Sequence, residues 1–234
     1  MTPSQLRAAV TLLASYAASP TRYHVRCIKR TAKYLHVHAK DTIVFIRDKL
    51  FDPLNINLAC FSDADWAADR TSRRSMTGYV LYMCHNLISS GCKYHPTQCL
   101  STMEAEYMGE TYTTKVINYV TNLVHELPGY SFAMPVPLFG DNNAALKFAE
   151  AHCVNDRVKH IDLRHHYLQR MVDTNIISMN YVCTLDNIAD ILTKPLPAAD
   201  YEKFTAYLVG DIQEKLRDLL AKLTHLNELR HRQL

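Results

Sequence analysis

The feature that most limits what this chain can become is residues 56–66, INLACFSDADW, where a short apolar run stops abruptly at two carboxylates. A run of that length bounded by polar residues suits a strand buried on both faces. Such a strand belongs in a layered architecture with elements packed on each side of a sheet. The strand is expected to end at Asp63. A carboxylate at that exit is held rigidly, at the place where open α/β sheets put their ligands. Asp63 and Asp65 lie two residues apart and share one face of an extended chain.

The rest of the chain supplies the other layers. Helical periodicity covers residues 4–18 and 23–38, the second with Arg26, Lys29, Arg30 and Lys33 off the apolar stripe. Those bases read either as a solvated face or as a surface toward nucleic acid. Residues 42–46, TIVFI, read as a short β-branched strand, and residues 77–83 and 87–90 as a hairpin turning at Cys84-His85-Asn86. A polar loop is expected over 91–98, then a long helix over 101–127 stopped by Pro128-Gly129. A strand at 136–140, helices at 142–151 and 160–173, a strand at 176–182 and a short helix at 188–193 follow. A three-strand meander followed by β/α alternation predicts a mixed five-stranded sheet flanked by helices, an α/β or α+β domain with helical extensions at both ends.

After Pro197 the pattern changes. Leu208, Ile212, Leu216, Leu219, Leu223, Leu226 and Leu229 recur at alternating steps of four and three, a heptad-like seam within a single amphipathic helix over 201–234. Docking back on the domain and self-association through this helix are both open readings.

Composition narrows the setting. No apolar run approaches the roughly 20 residues that cross a bilayer, and the N-terminus shows no signal-peptide pattern. The seven cysteines contain no CxxC pair, so reduced thiols of an intracellular protein are expected rather than a zinc or disulfide framework. A formal charge of +3 permits a polyanionic partner without requiring one.

Four acids stand where elements begin or end: Asp63, Glu106, Asp141 and Asp190. Ser101 and Glu104 form a capping box, Glu104 reaching back to the Ser101 amide. Glu106 lies about 200° around the helix from Glu104 and cannot share that task. Asp141 reads as a functional acid or as the cap of the next helix. Asp190, between Ala189 and Ile191, is costly in an apolar setting without a partner. Carboxylates brought together repel unless cations lie between them. An all-oxygen donor set suits Mg²⁺ or Mn²⁺, and two such ions form the clamp used for in-line phosphodiester displacement.

The segments FSDADWA (61–67), RRSMTGYV (73–80), STMEAEYMG (101–109), LFGDNNAAL (138–146), RVKHIDLRHHYL (157–168) and NIADILTKPLP (187–197) together resemble the ribonuclease H domain of copia-type (Pseudoviridae) retrotransposon Pol polyproteins. The resemblance covers about residues 55–197, and residues 1–50 resemble the remnant of the region joining reverse transcriptase to ribonuclease H. It implies a ribonuclease H-like fold, two-metal-ion hydrolysis of the RNA strand of RNA–DNA hybrids, and two Mg²⁺ or Mn²⁺ ions. It places the catalytic and metal-binding acids on Asp63, Glu106, Asp141 and Asp190, with Asp65 accompanying. The implied partners are the hybrid and the reverse transcriptase part of the same polyprotein. The implied locations are the cytoplasm, the retrotransposon particle or the nucleus, and no membrane is involved. No YxDD-type polymerase motif is present. Relatives usually show a glycine-rich turn at 84–86, a Trp-containing, Lys-rich segment at 90–98 and, among cellular enzymes, a histidine in the loop that here reads Cys183-Thr184-Leu185-Asp186.

Arg157, Lys159, His160 and Arg164, with His165, His166 and Arg170, make a basic run suited to phosphate contact, with a solvated helix face as the alternative. Ser75, Thr102, Asn142 and Asn143 are short polar residues near the acids, suited to reading 2′-hydroxyls. Trp66, the one tryptophan, is expected in the core rather than stacked on a base. The reading from another class is a catalytically degenerate module that keeps the fold and binds nucleic acid or assembles without cutting.

Overall fold

The computed structural model describes residues 4–39, 43–47, 51–150, 162–209 and 213–231. One sheet organises it: β1 (Leu58–Asp65), β2 (Met76–Met83), β3 (Asn86–Tyr94), β4 (Val136–Gly140) and β5 (Ile177–Tyr181), in spatial order β3-β2-β1-β4-β5. The first three strands form an antiparallel meander, whereas β4 runs parallel to β1 and β5 parallel to β4. The helices are α1 (Arg7–Ser15), α2 (Arg22–Val37), α3 (Thr102–His125), α4 (Asn143–Glu150), α5 (Asp162–Asp173), α6 (Ala198–Val209) and α7 (Gln213–His231). This is the mixed five-stranded sheet flanked by helices that the sequence predicts.

Period-2 alternation sorts β1 between two cores. Leu58 and Cys60 face Tyr107 and Ile117 of α3, Ala145 of α4 and Leu168 of α5. Ala59 and Phe61 face Ile188, Leu192, Phe204, Leu208, Leu216, Leu219 and Leu223. The buried apolar run of β1 is therefore covered on both sides, and Leu208, Leu216, Leu219 and Leu223 of the seam after Pro197 dock into the second core, while Leu226 and Leu229 stay exposed. Two helices stand where one was expected, and residues 210–212, including Ile212 of the seam, lie outside the described residues.

Other differences have local causes. Residues 43–47 form no strand: Val44 N–H donates to the Val209 carbonyl, and the Ile46 amide and carbonyl bond the Asn86 side chain, so the β-branched run finds no strand partner. The strand over 87–90 continues through the expected loop to Tyr94, with Gly91 paired to Tyr79 and making room for its ring. Cys84 and His85 hold φ of 46° and 64°, the left-handed pair that a two-residue hairpin turn demands. Glu104 accepts from the Leu100 amide at 2.6 Å rather than from Ser101, while Ser101 caps α3 as expected through the Glu104 amide. Trp66 is 41% exposed, not core: it follows the end of β1, donates its indole N–H to the Cys99 carbonyl and carries the Arg73 guanidinium 6.0 Å from its ring centre.

The approach of the 3-10 turn Ile188–Leu192 to the sheet depends on Gly78, the residue paired with Asp63 across β1 and β2. A Cβ on Gly78 would lie 2.7 Å from Leu192 Cβ, 2.8 Å from Thr193 Cγ2 and 3.2 Å from the Ala189 carbonyl oxygen. Gly78→Ala must push the turn off the sheet. Overpacking of this kind costs about 1–3 kcal/mol. Thermal melting is expected to show that loss, together with weaker divalent-ion binding. An alanine variant with unchanged melting and binding would mean that the turn is not pinned there.

Candidate active site

Asp63 does not end β1. The strand runs two residues further because it still pairs with β2, as far as Asp65 opposite Met76. Its parallel pairing with β4 ends at Phe61 opposite Phe139. Asp63 and Asp141 each stand two residues beyond that pair, so the register sets them side by side at the carboxyl ends of adjacent parallel strands. Asp63 lies on the Phe61 face, toward the turn that carries Asp190. The Asn187 side chain ties this turn to β1, donating to the Ser62 carbonyl at 3.0 Å and accepting from the Ala189 amide.

The result is a cluster in which one carboxylate oxygen each of Asp63, Asp141 and Asp190 lies within 4.8 Å of the others, the one such group of potential metal ligands among the described residues. Asp63 and Asp190 are 1% and 3% exposed. Thr193 donates its hydroxyl to Asp63 Oδ2, and Thr184 donates to Asp141 Oδ2 at 2.7 Å. Thr184 belongs to the loop that lacks a histidine. Asp141 does not cap α4: Asn142 Oδ1 takes that part, accepting from the amides of Ala144 and Ala145 at 3.0 and 3.1 Å. Asp141 is thereby left to the cluster.

Glu106, on the buried face of α3, stands outside the 4.8 Å group. Burial raises its carboxyl well above the ordinary range, and the charges of Asp63 and Asp141 raise it further, which places it beside the cluster. Asp63 is also raised, first by burial, against the lowering pull of Lys194. Asp190 is pushed up to about 8 by burial and by the Asp63 charge. Asp65 shares the face of Asp63 and is raised by burial and by that neighbour, but it is not one of the three.

Lys194 and Thr193 are the residues that sequence reasoning missed. Lys194 Nζ lies 3.1 Å from Asp190 Oδ2 and 3.6 Å from Asp63 Oδ1. The spacing of Asp190 and Lys194, four residues apart, was the available signal. Among the residues suggested for substrate, Ser75 is fully buried and accepts the Ala67 amide, so it cannot face a ligand: β2 starts one residue later and draws it inside. Thr102 and Asn143 are exposed and Asn142 is half-buried beside Asp141. Arg157, Lys159 and His160 lie outside the described residues, as does the side chain of Arg164.

A divalent cation fits this donor set. All of its ligand atoms are hard oxygens, an ammonium already lies between two of them, and Asp190 Oδ1 is buried with no hydrogen-bond partner. Asp63, Asp141 and Asp190 would hold the ion, with Glu106 adjacent. The pH dependence follows from the raised carboxyls. Between about pH 4 and pH 8 the folded protein keeps protons that the unfolded chain has released, so metal-free stability falls as pH rises through that window. Melting in EDTA is expected to drop from pH 5.5 to pH 8, and Mg²⁺ or Mn²⁺ is expected to raise the melting temperature more at pH 8 than at pH 5.5. A stability that climbs with pH in EDTA would contradict the burial argument.

No family model matches the chain. It is 31% identical over 204 residues to the retrovirus-related Pol polyprotein from transposon RE2 of Arabidopsis thaliana, covering 87% of this chain and 14% of that protein. It is 30% identical over 194 residues to the corresponding polyprotein from transposon TNT 1-94 of Nicotiana tabacum, covering 83% of this chain and again 14% of the relative. The chain thus spans about one seventh of the length of these curated relatives. Among solved structures it is similar to the N-terminal RNase H domain of a Mycobacterium tuberculosis protein, with TM-score 0.45 and 12% identity over 65% of this chain and 97% of that one. No helix among the described residues is long and apolar enough to cross a membrane. The sheet thus joins three antiparallel strands to two further parallel strands with helices on both faces, and on its similarity to these relatives the chain belongs to the Pol polyproteins of copia-type retrotransposons.

Proposed function

We propose that this chain cuts the RNA strand of RNA–DNA hybrids internally, by metal-assisted hydrolysis, with residues 55–197 as the ribonuclease H domain, 1–50 as the link to a reverse transcriptase and 201–234 as a C-terminal amphipathic segment. The observation that carries the reading is the meeting of Asp63, Asp141 and Asp190 within 4.8 Å at the carboxyl ends of adjacent parallel strands. Asp63, Asp141 and Asp190 would hold Mg²⁺ or Mn²⁺ there, which would supply an activated water and a counter-charge for the leaving 3′-oxygen.

The chain's own residues do the rest by placement. Thr193 and Thr184 each donate a hydroxyl hydrogen bond to one carboxylate and fix its orientation. Asn187 locks the turn bearing Asp190 onto β1. Glu106 adds a fourth negative group from the opposite layer. Thr102, Asn142 and Asn143, none of them buried, would offer hydroxyl and amide groups to ribose 2′-hydroxyls. Arg157, Lys159, His160 and Arg164 supply the basic run for phosphates, a contact that positions a duplex without reading its sequence.

A hybrid of labelled RNA annealed to DNA tests the proposal. With Mg²⁺ the RNA is expected to be cut at internal positions. RNA alone and duplex DNA are expected to stay intact, and EDTA is expected to stop the reaction. Binding of the hybrid with no cutting in either Mg²⁺ or Mn²⁺ would instead select the degenerate binding module.

A further inference from the structure

The Lys194 ammonium lies between Asp63 and Asp190, two of the three clustered acids. Its side chain is 32% exposed, so it reaches into the cluster from the solvent side while the acids themselves are buried. The two carboxylates hold its charge in place between them. Lys194 follows directly on Thr193, which bonds Asp63, and sits four residues after Asp190, so the same short segment carries an acid, its orienting hydroxyl and a competing cation. An ammonium and a divalent ion cannot both occupy the space between these two oxygens.

We propose that Lys194 is a built-in competitor for the cation position between Asp63 and Asp190: it keeps the metal-free site closed, must swing out when an ion enters there, and so makes that position the weaker of two. The inference rests on the metal-binding reading above. It goes beyond it by predicting two unequal classes of ion and naming the residue responsible. The long, flexible lysine stem permits the swing, and the exposed side of the site offers the displaced ammonium water or a phosphate in place of the carboxylates.

The test is a Mn²⁺ titration followed by electron paramagnetic resonance, on the wild-type chain, Lys194→Met and Asp63→Asn. Wild type is expected to show a tight and a weak class. Lys194→Met is expected to tighten the weak class about tenfold, because its competitor is gone. Asp63→Asn is expected to lose binding. Melting supplies the second readout: Lys194→Met should lower the melting temperature in EDTA, where two acids lose their counter-charge, yet show a larger rise than wild type on adding Mn²⁺. A merely structural lysine would lower both values alike. Unchanged or weakened Mn²⁺ binding in Lys194→Met, with Asp63→Asn still abolishing it, overturns the competitor role alone. Equal Mn²⁺ binding by wild type and Asp63→Asn overturns the metal reading beneath it.

Discussion

Asp63→Asn is expected to lower hybrid cleavage in Mg²⁺ by about 10²–10³-fold without loss of fold. Removing a single preorganised electrostatic group from an active site costs roughly 10²–10³ in rate, and Asp63 is central here: it neighbours Asp141 in the strand register, belongs to the 4.8 Å cluster and faces Lys194. Asparagine keeps the shape and can still accept the Thr193 hydroxyl. What it lacks is the charge, and the site is a device for concentrating charge. Because burial already disfavours the ionised form of Asp63, the variant should melt in EDTA at the wild-type temperature or higher. Its melting should respond little to Mn²⁺. Asp65→Asn is the control: it shares the strand face but not the cluster, and it should cut within about tenfold of wild type, since electrostatics weaken with distance and hydration. An Asp63→Asn protein that cuts at more than a tenth of the wild-type rate would remove this acid from the mechanism.

Much of that site was legible in the chain because element ends leave local traces. Asp63 and Asp141 follow short apolar runs, and Asp190 sits conspicuously among apolar neighbours. The register that puts Phe61 opposite Phe139 joins residues far apart in sequence, and no periodicity reveals it. The leucine seam announced an apolar stripe but not what it covers. Phe61, Val80 and Phe139 turn out to be its partners, because β1 and its neighbours need a cover on that face. Residues 43–46 show the opposite failure: β-branched composition favours a strand, but the Ile46 amide and carbonyl bond the Asn86 side chain and Val44 bonds the Val209 carbonyl instead of a neighbouring strand. Glu104 and Glu106 part by angle around the helix: Glu104 accepts from the Leu100 amide at the start of α3, and Glu106 is buried on the helix with the Asp63 and Asp141 charges acting on it. One turn further along α3 lies another acid.

That acid is Glu110, four residues beyond Glu106 and on the same face of α3. It is 1% exposed, and neither carboxylate oxygen has a hydrogen-bond partner. Its Oε1 lies against Gly140, where a Cβ would come within 3.0 Å of it, just before Asp141. Burial and the Asp141 charge raise its carboxyl well above the ordinary value near 4.5. An unpartnered polar group so placed costs roughly 1–3 kcal/mol, and more when ionised. Leucine removes that cost and adds apolar contact between α3 and β4. Glu110→Leu is therefore expected to stabilise the chain by about 3 kcal/mol at pH 8, a rise of roughly 6–12 °C for a domain of this size. The sign with pH is fixed: the folded state holds the Glu110 proton more tightly than the unfolded chain does, so wild-type stability declines as pH rises above about 4.5 and the leucine advantage grows. Glu110→Gln should gain less, because its amide is as unpartnered as the acid it replaces. Hybrid cleavage by Glu110→Leu should stay within about tenfold of wild type, since no clustered oxygen is removed. Melting curves at pH 5.5 and pH 8 decide the matter. A leucine variant less stable than wild type at both would show that this carboxylate has a stabilising partner after all.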